Sequence, residues 1–279
     1  MLKKFLKVAL CCTVLAVACF VVLTATGSRA EKKKVLRVGM ECASAPYNWS
    51  QSTPEGGAVK IVGTNEYAYG YDVIIAKMLA DALGMDLEIY KIEWDGIPPA
   101  VVTGKIDAAV AAMSITAKRK QSVDFTVPYY YAHVVGLVRK NSPQANAKCL
   151  ADLSGAKATT QLNTLWYDLI DQIPGVDKLP ALDTIPAAIV SLQAGKCDLL
   201  VVDIPTAHAA EVANSDLMML TFPEGKGFKT TPEDVDLGVA VQKGNTELRD
   251  AMNVVLSKLT EEDRQALLDE AVRKQPLMQ

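Results

Sequence analysis

The most specific chemistry in this chain is carried by Arg119 and Asp203. Arg119 closes the stretch Ser114-Ile115-Thr116-Ala117-Lys118-Arg119. A guanidinium fork grips a carboxylate through two parallel hydrogen bonds, and the Ser114 hydroxyl and free backbone N–H groups can serve the same oxygens. Asp203 ends an apolar run and can accept an ammonium. Together they suit a zwitterion. Each also has a plainer reading. Lys118-Arg119-Lys120 reads as a solvated charge run, and Asp203-Ile204-Pro205 as a helix N-cap with proline in the first turn. Capping and ammonium binding are compatible. No arrangement of nucleophile, base and orienting group stands out. The two histidines, His133 and His208, read as structural residues, and the chain contains no HExxH, no Gly-Lys-Ser/Thr phosphate loop and no GxGxxG. No cofactor and no metal are expected.

These residues sit at the ends of two stretches that repeat one design. The first is Asp95-Gly96-Ile97-Pro98, then Ala100-Val101-Val102, then Gly104-Lys105-Ile106-Asp107-Ala108. The second is Asp183-Thr184-Ile185-Pro186, then Ala188-Ile189-Val190, then Gly195-Lys196-Cys197-Asp198-Leu199. Each reads as an Asp or Thr N-cap, a proline in the first turn, an apolar helix, a left-handed glycine and an Asp that turns into a buried strand. The second copy spans twelve positions from Asp183 to Gly195 against nine from Asp95 to Gly104, roughly one more helical turn. Two such units predict two α/β lobes built alike. Ligands bind beyond the carboxyl ends of strands in such sheets. Here those ends are Met113-Ser114-Ile115-Thr116 and Asp203.

The remaining pattern fits that plan. Val35–Met40 reads as a first strand, Ser50–Ala68 as a loop or hairpin excursion, Tyr71–Leu83 as a helix and Leu87–Tyr90 as a strand. His133–Arg139 and Leu237–Val241 read as strands that cross between lobes and would form the hinge. Between them lie a strand at Ala156–Gln161, a helix from Thr164 to Ile170, the second repeat and a Pro/Gly-rich loop at Pro223–Pro232. Glu247–Arg273 reads as helical. The expected division is a leader over 1–30, a discontinuous first lobe over 31–137 plus 238–279, and a second lobe over 138–237.

The leader carries Lys3, Lys4 and Lys7, an apolar run from Val8 to Ala25, and small residues at Ser28-Arg29-Ala30, the form of an export signal. Alternatives are an uncleaved membrane anchor and lipidation at Cys19. The whole chain has 279 residues, is 50% hydrophobic and carries a formal net charge of −3 with no long basic run, which argues against nucleic acid as the main partner. Cys42, Cys149 and Cys197 remain beyond the leader, allowing at most one disulfide and matching no metal spacing.

Read in order, Gly70-Tyr71-Asp72-Val73-Ile74-Ile75-Ala76, Trp94-Asp95-Gly96-Ile97-Pro98-Pro99-Ala100, Gly104-Lys105-Ile106-Asp107-Ala108, Met113-Ser114-Ile115-Thr116 with Arg119, and Asp124-Phe125-Thr126-Val127-Pro128-Tyr129-Tyr130 resemble the polar amino-acid substrate-binding proteins of ABC importers, bacterial solute-binding family 3. The resemblance covers essentially all of the chain after the leader. It implies an α/β, periplasmic-binding-protein-like type II clamp of two Rossmann-like lobes joined by two crossing strands. It also implies a monomer, periplasmic or at the cell surface, that delivers an amino acid to a membrane permease without catalysis. Carried over by position, Ser114 and Arg119 match the carboxylate-holding residues and Asp203 the ammonium-holding acid. Trp94 falls where an apolar side chain lies against the ligand. Glu41 and Tyr47 fall in the pocket-lining segment after the first strand. Gln161-Leu162-Asn163-Thr164-Leu165 matches a Gln-Leu-Gly-Thr-Thr turn, with Asn163 in place of a glycine and Leu165 in place of the second Thr. Ala111 and Ala112 make one wall less polar than in many relatives. Glu41, Tyr47 and Trp94 suggest a cationic or amide side chain on the ligand. The rivals are an exported enzyme on the same scaffold, similar to cyclohexadienyl dehydratases with Glu41 as its acid or base, and the sensing lobe of a receptor.

Overall fold

The computed structural model describes residues 33–276; the expected leader and Cys19 lie outside the described residues. The first elements are β1 (Val35–Met40), β2 (Ala43–Ser44), β3 (Asn48–Gln51), β4 (Val59–Lys60), β5 (Tyr67–Tyr69), α1 (Tyr71–Ala82) and β6 (Asp86–Lys91). They are followed by α2 (Ile97–Val102), β7 (Ala108–Ala109), β8 (Val123–Phe125) and β9 (Val134–Arg139). Next come β10 (Lys157–Thr159), α3 (Leu165–Leu169), β11 (Asp177–Lys178), α4 (Ile185–Gln193), β12 (Leu199–Asp203), α5 (Ile204–Ala213) and β13 (Leu217–Leu220). The last are α6 (Pro232–Val235), β14 (Ala240–Gln242), α7 (Thr246–Leu256) and α8 (Glu261–Lys274).

Two five-stranded sheets share one plan. The first has the order β6-β1-β7-β14-β8 and the second β11-β10-β12-β9-β13. In each, the three leading strands are parallel and the fourth runs antiparallel to its neighbours. The repeat strands β7 and β12 occupy the same third position, so the two stretches are equivalent in three dimensions. Their helices end alike: Gly104 and Gly195 both sit at φ +70°, each with its N–H bonded to a last-turn carbonyl at 3.1 Å. The repeat aspartates also act alike. The Asp107 carboxylate accepts from the Arg37 N–H of β1 at 2.8 Å, and Asp198 accepts from the Lys157 N–H of β10 at 3.1 Å. Each acid thereby ties the third strand of its sheet to the second.

One detail of the repeat differs from its sequence reading. Thr184 caps α4 by accepting from the Ala187 N–H at 3.2 Å, but Asp95 does not cap α2. Trp94–Gly96 forms a 3₁₀ turn instead, leaving the Asp95 carboxylate free to face the second sheet.

Strand β12 is buried at all five positions, as expected for a parallel strand covered on both faces. Its end is the N-cap of α5, where Asp203 accepts from the Thr206 N–H at 2.9 Å. Ser50–Ala68 is more ordered than a loop and belongs to a four-stranded antiparallel sheet, β2-β3-β5-β4. The C-terminal helical stretch is broken into α7 and α8, because Thr260 and Asp263 form a capping box that starts a new helix. Strand β9 pairs with β12 and β13 along its length, so the passage from the first sheet to the second falls ahead of it. There, Tyr130 pairs with Leu237 of the returning chain. Cys42, Cys149 and Cys197 are all free thiols, and no described helix is long and apolar enough to cross a membrane.

Candidate functional site

The carboxyl ends of β7 and β12 face each other across one narrow cavity. The structure brings Glu41, Tyr47, Trp94, Ala112, Ser114, Arg119, Thr164 and Asp203 around it. Asn163 is not among the lining residues but bonds two of them. The Asn163 carbonyl accepts from Trp94 Nε1 at 3.4 Å and from Arg119 Nη2 at 3.3 Å, while its side chain donates to Asp95 at 2.8 Å. The backbone at Asn163 is left-handed (φ +56°), a conformation asparagine tolerates.

Arg119 has only neutral partners among the described residues. Its Nη1 donates to the Ser114 carbonyl at 3.0 Å, Nη2 to the Asn163 carbonyl, and its plane lies 5.2 Å from the Trp94 ring centroid. Desolvation brings its pKa down to about 10. Asp203 is the converse. It is 3% exposed, and its partners include the N–H and hydroxyl of Thr206 and the Tyr47 hydroxyl, which donates at 2.9 Å. Burial pushes its pKa up and those hydrogen bonds offset part of the shift.

The segment carrying Glu41 and Tyr47 is held from behind. Gly70 approaches the Tyr47 carbonyl so closely that any Cβ would collide with it, and its φ of +128° suits glycine alone. That contact lets the first N–H groups of α1 bond this segment, Tyr71 to Pro46 O at 3.0 Å and Asp72 to Tyr47 O at 2.8 Å. The buried Asp72 carboxylate accepts from Asn48 Nδ2 and from the Tyr129 hydroxyl, both at 2.7 Å. Asn48 in turn accepts the Cys42 N–H at 2.7 Å and Tyr129 the Ala112 N–H at 2.9 Å. Cys42 and Ala112 both have positive φ, 55° and 48°, so one buried acid anchors two strained corners of the cavity wall.

Glu41 lines the same cavity and bonds the Gln161 turn that also carries Asn163. Gln161 Nε2 donates to its two carboxylate oxygens at 3.0 and 3.2 Å and to the Asp183 carbonyl at 3.0 Å. Desolvation pushes the Glu41 pKa up to about 7, with the Gln161 hydrogen bond opposing the shift. Together with Tyr47–Asp203, this contact draws the walls to a free volume of about 30 Å³. The sequence reading named Gln161 only as part of a turn, and it missed Trp166, Ile185 and Thr206, which also line the cavity. Ile185 and Thr206 follow the N-caps Thr184 and Asp203, a position that could have flagged them; Trp166 gave no signal.

Comparison with known proteins agrees with this geometry. The L-cystine-binding protein TcyJ of Escherichia coli (strain K12) is 25% identical over 244 residues, covering 87% of this chain and 84% of the relative. An L-arginine-binding protein of Pseudomonas aeruginosa is 29% identical over 236 residues, covering 81% and 83%. A crystal structure of an amino acid ABC transporter substrate-binding protein from Streptococcus pneumoniae, bound to L-arginine, superimposes with a TM-score of 0.74 at 29% identity, covering 86% of this chain and 94% of that one. Residues 36–271 match the profile of the bacterial extracellular solute-binding proteins, family 3, and the chain belongs to that family.

Proposed function

We propose that this protein captures a free amino acid between its two sheets and delivers it to the permease of an ABC importer. One observation carries the reading. Among the described residues, a guanidinium with only neutral partners and a buried carboxylate with no cationic partner face the same cavity from different sheets. An α-carboxylate on Arg119, helped by Ser114, and an α-ammonium on Asp203 would satisfy both at once. Neither sheet alone holds both groups, so ligand binding and closure are one event. The lobes divide near the Tyr130–Leu237 pairing, which serves as the hinge. The protein acts as a monomer outside the cytoplasm.

The ligand's side chain points toward Glu41. A carboxylate there favours lysine, arginine or ornithine, or an amide such as glutamine, and disfavours glutamate and aspartate. A thermal-shift screen against the twenty amino acids, followed by calorimetry, tests this, because a ligand specific to the folded state raises the melting temperature by mass action. A best response to leucine or glutamate would overturn the specificity but not the class. A second reading rests on Glu41 itself, whose pKa near 7 suits a general acid or base. Mass spectrometry showing the captured ligand released unchanged would exclude an enzyme acting on it.

A further inference from the structure

A second chamber lies beside the amino-acid cavity, walled by the small antiparallel sheet and by α4 and α5. Its free volume is about 320 Å³, far larger than the space before Arg119 and Asp203. The two spaces share Ile185 and Thr206 as a partition. On the chain after β1, Glu41 and Ser44 face the amino-acid cavity, whereas Cys42, Ala43 and Ala45 face the chamber. On α5, Thr206, Ala209, Ala210 and Ala213 recur at helical spacing and form one wall. Their span of seven residues is about 10 Å along the axis. Alanines keep that length open where larger apolar residues would fill it. Three polar side chains at its edge are already engaged: Gln275 donates to Ala209 O at 3.1 Å, Asn214 to Ala210 O at 2.9 Å, and Lys91 pairs with Glu66 at 3.4 Å.

We propose that this chamber is a subsite for the far end of an extended ligand, an α-amino acid whose side-chain nitrogen carries an acyl group. The proposal rests on the amino-acid reading above. The zwitterionic head sits between Arg119 and Asp203, the side-chain amide N–H donates to Glu41, and the acyl chain passes Ile185 and Thr206 onto the alanine wall of α5. The far space is apolar, so it rewards hydrocarbon and would penalise an unpaired charge.

Calorimetry on the full chain with lysine, Nε-acetyl-lysine, Nε-butyryl-lysine and Nε-hexanoyl-lysine tests this. Affinity should rise about fourfold per added methylene until the chamber is filled. Ala210→Leu should abolish that rise while leaving lysine binding unchanged. Ala213→Leu, at a less buried position, gives the same test should Ala210→Leu lower the melting temperature. Lysine binding without its acylated forms, or acyl gains that survive both leucines, overturns the subsite. Binding of other amino acids with no response to lysine or its derivatives also overturns it. No binding by any amino acid overturns instead the reading on which it rests.

Discussion

Replacing Asp203 by Asn should separate folding from ligand capture. The two side chains have the same shape, and asparagine caps a helix as well as aspartate does, so the Thr206 N–H keeps its acceptor. What disappears is the charge. In the wild type burial pushes that carboxyl's pKa above the ordinary carboxylate range, and the neutral donors Thr206 and Tyr47 offset only part of the shift. The sign follows. A carboxyl raised on folding binds its proton more tightly in the native state, so stability is highest below the unfolded pKa of about 3.8 and falls as pH rises through the folded value. Removing the charge should therefore leave the ligand-free protein at least as stable at pH 7, with an unchanged or higher melting temperature. Binding should move the other way. Truncating one partner of a buried, hydrogen-bonded charge pair costs about 2–5 kcal/mol, much of it from the charge left unpaired. At about 1.4 kcal/mol per tenfold, affinity for the best wild-type amino acid should fall by roughly thirty-fold to several thousand-fold. Thermal unfolding and calorimetry read the two effects independently. An Asp203→Asn protein that binds within threefold of wild type would refute the ammonium assignment, and Asp203 would revert to a helix cap.

Arg119→Ala should abolish binding without unfolding the chain, and Arg119→Lys should recover little of it, because a point charge cannot reproduce the bidentate fork; calorimetry on both checks this. Affinity for a cationic side chain should rise with pH through about 7 as Glu41 ionises, and Glu41→Gln should flatten that profile. The same raised pKa means that Glu41 contributes most to stability below about 4.5 and progressively loses that contribution as pH rises through about 7, which a pH series of melting temperatures on wild type and Glu41→Gln will report. Asn163→Gly keeps the left-handed backbone and the carbonyl but deletes the amide bond to Asp95, so ligand dissociation measured by stopped flow should quicken about two- to tenfold. Small-angle scattering should show a smaller radius of gyration when the preferred amino acid is added, since binding and closure are linked.

Much of the architecture is legible in the chain because it is written in local signals. The repeated Gly-Lys-x-Asp after an apolar helix encodes a left-handed glycine and an acid that latches the neighbouring parallel strand, and both copies fold that way. Asp203 can be read as a cap from Asp-Ile-Pro alone. Asp95 shows the limit. Its spacing resembles that of the second copy, yet a 3₁₀ turn intervenes and the side chain bonds Asn163, 68 residues away. The Glu41–Gln161 contact spans 120 residues and leaves no periodic trace. The α5 chamber is silent for another reason: alanines read as helix formers, and the space they fail to fill belongs to no residue.

The two sheets have the same strand order, but they do not contribute the same chemistry. The first supplies a cation through a loop after its third strand, and the second supplies an acid at the very end of its third strand. Each charge is desolvated in place, with hydrogen bonds to neutral groups standing in for a counter-ion. The Tyr47 hydroxyl and the Asn163 carbonyl act as those stand-ins from across the cleft. A neutral donor to Asp203 and a neutral acceptor for Arg119 recover part of the desolvation cost, and a zwitterion recovers more. On the proposed reading, closure without ligand leaves the electrostatics incomplete, and a bound zwitterion completes them, which gives the site its preference for an amino acid.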